Sequence, residues 1–232
     1  MSRRLILIRH GQTTYNATGR MQGHLDTELS ELGYAQAQAA ARLLEDKGVT
    51  RIVASDLKRA AETARVIAEH IGVAVDIDSR LRETHLGEWQ GRSSAEVDED
   101  LPGARAIWRH DPTWAPPGGE SRVDVARRAK PAIDELMRTH AAWDEGPVLI
   151  VGHGGAISAL TCALLGLDVS QYGLLSGLKN THWSQLTARP RFDPSRPLNP
   201  MRFTPDSIAD ATWYFDGWNM GAEVTGGAGA DV

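Results

Sequence analysis

Cysteine is the scarcest residue type in this sequence, which contains Cys162 alone. One cysteine excludes an internal disulfide and any metal site that needs several thiolates. Cys162 lies in an apolar stretch with helical spacing, where a free cysteine is typically a small core residue. Long hydrophobic runs are also missing, and the apolar run near the start is too short for a signal peptide. We therefore expect a soluble protein of the cytoplasm that does not act at a membrane.

Excess positive charge is missing as well. The 232 residues have a formal net charge of −5, which argues against a general nucleic-acid-binding protein. Lysine occurs at only four positions, so nearly all of the positive charge is arginine. An anion-binding site in such a chain must be formed by local arginines that act against the overall charge.

The length of the chain is typical of one large domain. We predict a single domain over residues 1–221 and a disordered tail over the Gly- and Ala-rich residues 222–232. Residues 84–120 are rich in glycine, proline, tryptophan and charge. We predict that this segment is a lid inserted over the ends of the strands.

Two short apolar runs, each followed by His-Gly, predict the centre of the fold. LILI at residues 5–8 leads into Arg9 and His10, and VLIV at residues 148–151 leads into Gly152 and His153. Four branched aliphatic residues in a row are typical of a strand buried on both faces, as in a parallel sheet. Ligands of open α/β sheets bind beyond the carboxyl ends of such strands. If the two strands are neighbours, both imidazoles lie at one site.

Strand and helix patterns alternate along the chain and predict a three-layer α/β/α sandwich with a mostly parallel sheet. Ser30 is a candidate N-cap for a helix that ends at Gly48. Ser55 or Asp56 is a candidate N-cap for a helix that ends at Gly72. Further strands are predicted at residues 51–54, 73–75, 181–187 and 212–215.

Proline marks two further features of the chain. Pro131 lies inside a helical pattern over residues 121–140 and predicts a kink or a break there. Five of the eleven prolines fall within residues 189–205. We predict that this second segment is a loop.

Arg9 and His10 are the first candidate site residues. A neutral imidazole can attack phosphorus and form a phosphoramidate, which divides one transfer into two easier steps. The adjacent guanidinium disfavours protonation of the imidazole and binds phosphate oxygens. The alternative is an Arg-His pair on the surface, since an Arg-His-Gly tripeptide alone is a weak signal.

Three more candidates come after predicted strands and belong to the same edge of the sheet. Arg59 falls in the first turns of a helix, whose N-terminus favours an anion. Glu83 could protonate the leaving oxygen of a phosphate ester and then activate water; an ion pair with Arg80 or Arg82 is the alternative. His153, at another helix N-terminus, could hold a phosphoryl oxygen. Such a site needs no metal or other cofactor, because the arginines stabilise the phosphoryl charge.

Six segments together resemble the histidine phosphatase superfamily, whose founding members are the cofactor-dependent phosphoglycerate mutases. The resemblance keeps the family's order along most of the chain and implies a phosphoglycerate mutase-like fold and a homodimer. The matching segments are RHGQTTYN at 9–16, QGHLD at 22–26, SDLKRAAETA at 55–64, LRETHLGEWQG at 81–91, GGES at 118–121 and GHGG at 152–155.

The resemblance also implies residue roles. It implies His10 as the phosphorylated nucleophile and Glu83 as the proton donor. It implies a set of residues that bind the phosphate or line the pocket, namely Arg9, Asn16, Gln22, Gly23, Arg59 and His153.

Two differences from the mutases favour hydrolysis of a small phosphate ester over mutase action. Mutases follow the acidic residue with Arg-His-Tyr, which hold the glycerate carboxylate, whereas this chain has Thr84-His85-Leu86. Mutases continue the second His-Gly with Asn-Ser, whereas this chain has Gly155-Ala156. The run RETHLGEWQG, the motifs PGAR and TWAPPGGESRVDVA and the Trp-rich C-terminal end resemble the branch that dephosphorylates glucosyl-3-phosphoglycerate. We therefore expect that substrate.

The tryptophans of the predicted lid allow two interpretations. Trp89, Trp108 and Trp114 could stack on the face of a sugar, or they could pack the lid. We expect packing for at least two of the three.

Other functions compete with this one. Asp76-Ile77-Asp78 comes after an apolar run, as in an Mg²⁺-dependent aspartyl-phosphate phosphatase, but that motif needs Thr or Val where Arg80 stands. A turn between strands is the better interpretation of these residues. A non-catalytic phospholigand-binding module is disfavoured, because both the nucleophile and the acid are present. A broad-specificity sugar-phosphate or acid phosphatase and a phosphoglycerate mutase stay open as alternatives.

Overall fold

Six strands form one mixed sheet in the computed structural model, which describes residues 2–192, 194, 203–204 and 207–224. Their spatial order is β3 (Val75–Ile77), β2 (Arg51–Ala54), β4 (Val148–Gly152), β1 (Arg3–Arg9), β5 (Trp183–Arg189) and β6 (Thr212–Met220). The first four are parallel, while β5 is antiparallel to both β1 and β6. The predicted pairing of β1 with β4 is confirmed, and its register places Arg9 opposite Gly152.

Helices pack on both faces of the sheet. On one face lie α2 (Glu31–Leu44) and α3 (Lys58–Ile71), and on the other lie α6 (Arg122–Thr139) and α7 (Gly154–Leu165). Shorter helices are α1 (Thr14–Ala17), α4 (Ser94–Asp100) and α5 (Ala104–His110), and 3₁₀ turns lie at Glu45–Lys47, Ser79–Leu81, Gly87–Trp89, Ala141–Asp144 and Val169–Leu174.

Alternate residues of β1 enter two different cores. Leu5 and Leu7 pack with α6 and α7, whereas Ile6 and Ile8 pack with α2 and α3. All four side chains are buried, and each such burial contributes roughly 1.5–3 kcal/mol to the stability of the fold. Helix layers on both sides of one sheet confirm the predicted three-layer α/β/α sandwich.

The α3 helix begins differently from the prediction. Its N-cap is Leu57, without a side-chain hydrogen bond, so the prediction of Ser55 or Asp56 as the N-cap is wrong. Asp56 instead binds the guanidinium of Arg82 through both carboxylate oxygens. The N–H of Lys58, at the first position of α3, is satisfied from a distant loop, where Asp26 Oδ1 accepts it at 2.7 Å.

Several predicted element boundaries also shift. Pro131 lies inside α6, which continues through it, so the predicted break does not occur. The residue is exposed, and water can therefore satisfy the carbonyl that loses its partner. β3 begins two residues later than predicted, and β6 extends five residues beyond the predicted end.

The remaining predictions concern segments without long elements. Residues 84–120 contain only short helical pieces, as predicted. Cys162 is buried in a small core cluster, as expected of a structural cysteine. Much of the predicted loop at residues 189–205 and residues 225–232 of the predicted tail lie outside the described residues. Within the described part of the chain, none of the helices combines the length and apolarity needed to cross a membrane.

Candidate active site

The two imidazoles meet at the carboxyl ends of β1 and β4. His10 comes directly after β1 and His153 directly after β4. Their ring centroids are 5.2 Å apart, and the ring planes are inclined by 60°. Both side chains are buried. Parallel pairing of the two strands is therefore what brings these two residues to one place.

The hydrogen bonds of His10 define its tautomer. Its Nδ1 lies 2.7 Å from the carbonyl oxygen of Gly11, which can only accept, so Nδ1 donates. Its Nε2 accepts the Nε–H of Arg59 at 3.3 Å. Burial, together with the charges of Arg59 and Arg9, holds the pKa of His10 well below its usual value. The ring is thus neutral, with a lone pair on Nε2, and the alternative of a surface Arg-His pair is wrong.

His153 is held by one hydroxyl. Its Nε2 lies 2.9 Å from Ser55 Oγ, and its Nδ1 is buried without a hydrogen-bond partner among the described residues. Burial and the charge of Arg59 hold its pKa well below the usual value. A buried nitrogen without a partner is costly, so Nδ1 of His153 is open to a further hydrogen bond.

Two guanidiniums flank the imidazoles. Arg59 is anchored by the carbonyls of Gly23 and Leu25, each at 2.8 Å. Burial lowers the pKa of Arg59 to about 10, so the side chain keeps its charge at neutral pH. Arg9 donates through Nη1 to the carbonyl of Leu178 at 2.6 Å, and its Nε is buried without a partner among the described residues. These cations give this part of an acidic chain a local positive charge, as a phosphate-binding site would need.

Glu83 lies against the N-terminus of α7. Its Oε2 accepts the Gly155 N–H at 3.1 Å, and its Oε1 accepts the N–H groups of Ala156 and Thr84 at 2.9 and 2.8 Å. The orphan donors of the first turn of α7 thus hold the carboxylate at the wall of the cavity.

The predicted alternative for Glu83, an ion pair with a neighbouring arginine, is wrong. Arg80 pairs with Asp78, at the start of the turn after β3, and Arg82 pairs with Asp56. The pairing of Asp78 also supports a turn between strands, not an aspartyl-phosphate site. The carboxylate of Glu83 is therefore bound by backbone N–H groups of α7 and not by either of these two arginines.

Two residues that support Glu83 were missed in the sequence. The main-chain carbonyl of Glu83 accepts His24 Nε2 at 2.7 Å and Arg128 Nη2 at 3.1 Å. Arg128 lies on α6 and also donates to the carbonyls of Arg80 and Arg82. His24 belongs to the QGHLD motif, which was a usable signal, whereas nothing in the local sequence marks Arg128.

Two side-chain amides complete the wall beside the imidazoles. Asn16 Oδ1 accepts the N–H of Thr13, and Gln22 Oε1 accepts the hydroxyl of Thr27. The one hydroxyl proton of Thr13 lies within reach of both amide oxygens and is donated to one of them at a time. Since the oxygens are occupied, the NH₂ groups remain as donors without a protein acceptor among the described residues. Both residues line the cavity, in agreement with the predicted pocket.

The loop at residues 176–180 ties the site to the edge strand β6. Asn219 of β6 donates to the Gly177 carbonyl at 2.9 Å and accepts the Lys179 N–H at 2.8 Å. The same loop provides the carbonyl that binds Arg9 and, through Asn180 Nδ2, a donor to the His10 carbonyl at 2.9 Å. The last described strand thus holds a wall of the cavity in place.

The cavity above His10 has a volume of about 1090 Å³, and His153, which is fully buried, is not among the residues that line it. That volume far exceeds what one phosphate group fills. Its outer wall is formed by residues from the predicted lid, including parts of α4 and α5. Its charged lining is strongly cationic, with Glu83 against six arginines, namely Arg9, Arg20, Arg59, Arg105, Arg109 and Arg122.

The three tryptophans of the predicted lid pack on one another. Trp89 is fully buried, and its ring centroid lies 5.9 Å from that of Trp108 and 5.5 Å from that of Trp114. Trp108 also lines the cavity. The expectation that at least two of them pack the lid is confirmed.

Several known proteins are similar to this chain in sequence and in fold over nearly its whole length. A family model described as histidine phosphatase superfamily (branch 1) matches residues 5–193. Glucosyl-3-phosphoglycerate phosphatase of Mycolicibacterium vanbaalenii is 50% identical over 226 residues, which are 96% of each chain. The protein of that name from Mycobacterium tuberculosis is 48% identical over 229 residues, or 97% of each chain. A mycobacterial glucosyl-3-phosphoglycerate phosphatase solved in complex with VO₃ is 48% identical with a TM-score of 0.83, covering 94% of this chain and 98% of that chain.

Proposed function

Because the chain belongs to the histidine phosphatase superfamily (branch 1), we propose that it hydrolyses the phosphate ester of glucosyl-3-phosphoglycerate. The enzyme is a phosphatase, and two relatives that match it nearly end to end carry that substrate in their names. The observation that carries the chemistry is the neutral, buried His10, whose Nε2 lone pair lies beside two guanidiniums and a second imidazole.

In the first half of the reaction, His10 Nε2 attacks the phosphorus atom. The P–N bond forms as the P–O bond of the ester breaks, and Glu83 gives its proton to the leaving oxygen. Arg9, Arg59 and His153 hold the phosphoryl oxygens while charge moves onto them. Asn16 and Gln22 add amide donors, and the carbonyl of Gly23 keeps Arg59 in place.

In the second half, water replaces the leaving alcohol. Glu83, now a carboxylate, takes a proton from the water as its oxygen attacks the phosphorus atom. The P–N bond breaks, inorganic phosphate leaves, and His10 returns to its neutral form. Apart from the substrate and water, these two reaction steps use only groups of this chain.

The wider setting forms part of the same proposal. Residues 1–221 form the catalytic domain, within which the family model matches residues 5–193. The enzyme acts as a homodimer in the cytoplasm. Support for association comes from β6, an edge strand on which Tyr214 and Phe215 are exposed, because unpaired edges with apolar side chains favour pairing.

A panel of phosphate esters tests the substrate. We expect kcat/KM for glucosyl-3-phosphoglycerate to exceed the values for 3-phosphoglycerate, fructose bisphosphate and p-nitrophenyl phosphate by at least about tenfold, since it alone fills the cavity with both sugar and glycerate. A flat profile would favour a broad-specificity phosphatase. Conversion of 3-phosphoglycerate to its isomer would favour a mutase.

Brief exposure to ³²P-labelled ester, run in parallel, tests the nucleophile. Wild-type enzyme should carry label that survives alkali and is lost in acid, as a phosphohistidine does. His10→Ala should abolish both label and turnover, whereas His70→Ala, a change at an exposed histidine of α3, should leave both unchanged. Turnover that persists in His10→Ala would refute the role of His10.

A further inference from the structure

The cavity holds more positive charge than a phosphate requires. Arg9 and Arg59 lie beside His10 and suffice for the phosphoryl group. The proposed substrate carries a second anion, the carboxylate of its glycerate part. The Arg-His-Tyr segment that holds this carboxylate in mutases is replaced here by Thr84-His85-Leu86. Another cation of this chain must therefore face the carboxylate.

Two of the other four arginines of the cavity already have anionic partners, and a third is exposed to solvent. Arg20 binds the Gly91 carbonyl at 2.8 Å and lies 3.5 Å from a carboxylate oxygen of Glu96. Arg105 lies 3.4 Å from a carboxylate oxygen of Asp98. Arg109 is exposed, so water solvates its charge. Each of these three charges is thus compensated, either by a carboxylate or by solvent.

Arg122 differs from all of them. It is partly buried at the first position of α6, and no carboxylate among the described residues lies within 4.0 Å of it. Its Nη1 donates to the Arg109 carbonyl at 3.2 Å, and its guanidinium lies over the Trp108 ring, 5.4 Å from the centroid. These contacts fix the side chain, but within the described part of the chain only one of its five N–H donors has an acceptor.

The position of Arg122 relates it to the reacting end of the cavity. It lines the same cavity as Glu83 and as Gly155 and Ser158 of α7. Burial lowers the pKa of Arg122, and Cys162 and then Glu83 act in the opposite direction. Arg122 therefore shares its cavity with the carboxylate that serves as the proposed acid. A partly desolvated cation without an anion gains most from a ligand that provides one.

We propose that Arg122 binds the glycerate carboxylate of the substrate and thereby selects phosphate esters that carry an adjacent carboxylate. This inference rests on the proposed function and deepens it. Arg9 and Arg59 then bind one end of the phosphoglycerate unit and Arg122 binds the other. The glucosyl group is left to the remaining volume beneath α4 and α5.

A pair of matched substrates tests the role of Arg122. One is glucosyl-3-phosphoglycerate, and the other is the same ester with CH₂OH in place of the carboxylate. Arg122→Met keeps most of the packing on Trp108 but removes the charge. We expect kcat/KM for the carboxylated ester to fall about 10- to 100-fold, mainly through KM, and kcat/KM for the alcohol analogue to change less than about threefold.

Two further variants control the experiment. Arg127→Met removes an exposed arginine of α6 that pairs with Asp124 and is not among the cavity residues, and it should leave both substrates unchanged. Arg122→Lys should recover part of the preference for the carboxylate, because it restores the charge without the planar fork.

Three results would overturn the inference. Equal losses on both substrates in Arg122→Met would assign the residue to folding or to the phosphate. If Arg20→Met lost the preference for the carboxylated ester and Arg122→Met kept it, the carboxylate would bind at Arg20 instead of Arg122. A wild-type enzyme that handles both esters equally would show that the carboxylate is not recognised. The ester panel separates this from failure of the proposed function, since glucosyl-3-phosphoglycerate can lead the panel through its sugar alone.

Discussion

Glu83 combines two properties at the scale of a single residue. Its side chain is held by backbone N–H groups, and its main-chain carbonyl is held by His24 and Arg128. No arginine side chain among the described residues lies within 4.0 Å of its carboxylate, because Arg80 and Arg82 have other partners. The carboxyl group is thus fixed in position yet available for proton transfer, as a general acid and base must be.

Glu83→Gln separates proton transfer from binding. The amide keeps the size of the side chain and one acceptor oxygen, but it cannot exchange a proton. We expect kcat to fall about 10²- to 10⁴-fold, while the inhibition constant of inorganic phosphate changes less than about threefold. Steady-state kinetics with phosphate as the inhibitor measure both.

The control for this prediction is Glu135→Gln, which alters an exposed partner of Arg80 and should leave kcat unchanged. Equal loss of turnover and phosphate binding in Glu83→Gln would instead indicate that Glu83 has a structural role.

At this scale, the residues at strand ends could be predicted from the sequence. His10 and His153 lie where the two apolar runs stop. Parallel pairing of the two strands that these runs form is therefore enough to bring both imidazoles together. The N-cap of α3 could not be predicted, because it depends on Arg82, which removes Asp56 from capping. Arg128 was missed for the same reason, since its partners lie 45 to 48 residues away in the chain.

At the scale of elements, the loop after β1 lies in direct contact with the first turn of α2. A Cβ atom built on Gly33 would lie 2.1 Å from the Gln12 carbonyl oxygen, and one on Gly11 would lie 2.4 Å from the Gly33 oxygen. Two glycines thus allow the backbones to approach where the chain carries His10. The position of His10 depends on the absence of two methyl groups.

Gly33→Ala should therefore destabilise the protein, although helix propensity alone predicts the opposite. An Ala for Gly exchange within a helix normally stabilises it by about 1 kcal/mol. Here we expect a loss of about 1–3 kcal/mol in the free energy of unfolding, since the methyl group meets backbone. We also expect kcat/KM to fall by about 100-fold as the loop moves away. Urea unfolding and steady-state kinetics measure the two effects.

Gln38→Ala on the exposed face of α2 is the matched control and should change neither quantity appreciably. If Gly33→Ala were more stable than wild type and fully active, the loop and the helix would have to separate without moving His10.

The elements themselves were largely predictable, and the exceptions have physical causes. The alternation of strands and helices predicted the layers, because each face of the sheet must be covered. β6 is longer than its sequence indicates because irregular pairing with β5 carries it past Asp216 and Gly217. Pro131 does not end α6, because its face of the helix is open to solvent.

At the scale of the whole molecule, two buried neutral imidazoles link folding to pH. The pKa values of His10 and His153 lie well below the usual 6.5, chiefly because of burial. Between the folded and unfolded pKa values, the unfolded chain binds more protons than the folded protein. The free energy of unfolding therefore rises with pH in this range. Conversely, it decreases progressively as the pH falls below about 6.5.

Comparison of wild type with His10→Ala measures this linkage. Each imidazole that stays neutral in the folded state lowers stability by up to about 1.4 kcal/mol per pH unit below 6.5. We expect the drop in unfolding free energy between pH 6.5 and pH 5.5 to be about 1 kcal/mol smaller in His10→Ala. Urea unfolding at the two pH values provides the measurement.

Titration of carboxyl groups affects wild type and variant alike, so their difference isolates His10. His70→Ala, at an exposed ring, should track the wild-type curve. Parallel curves for wild type and His10→Ala would mean that His10 becomes protonated in the folded protein.

The tie between β6 and the 176–180 loop has a consequence for biosynthesis. His10 precedes Asn219 by 209 residues in the chain, so a ribosome adds Asn219 long after Arg9 and His10. Until β6 has emerged and paired, the loop that steadies Arg9 lacks its support. A nascent chain that has not yet reached Asn219 therefore carries His10 without the assembled pocket.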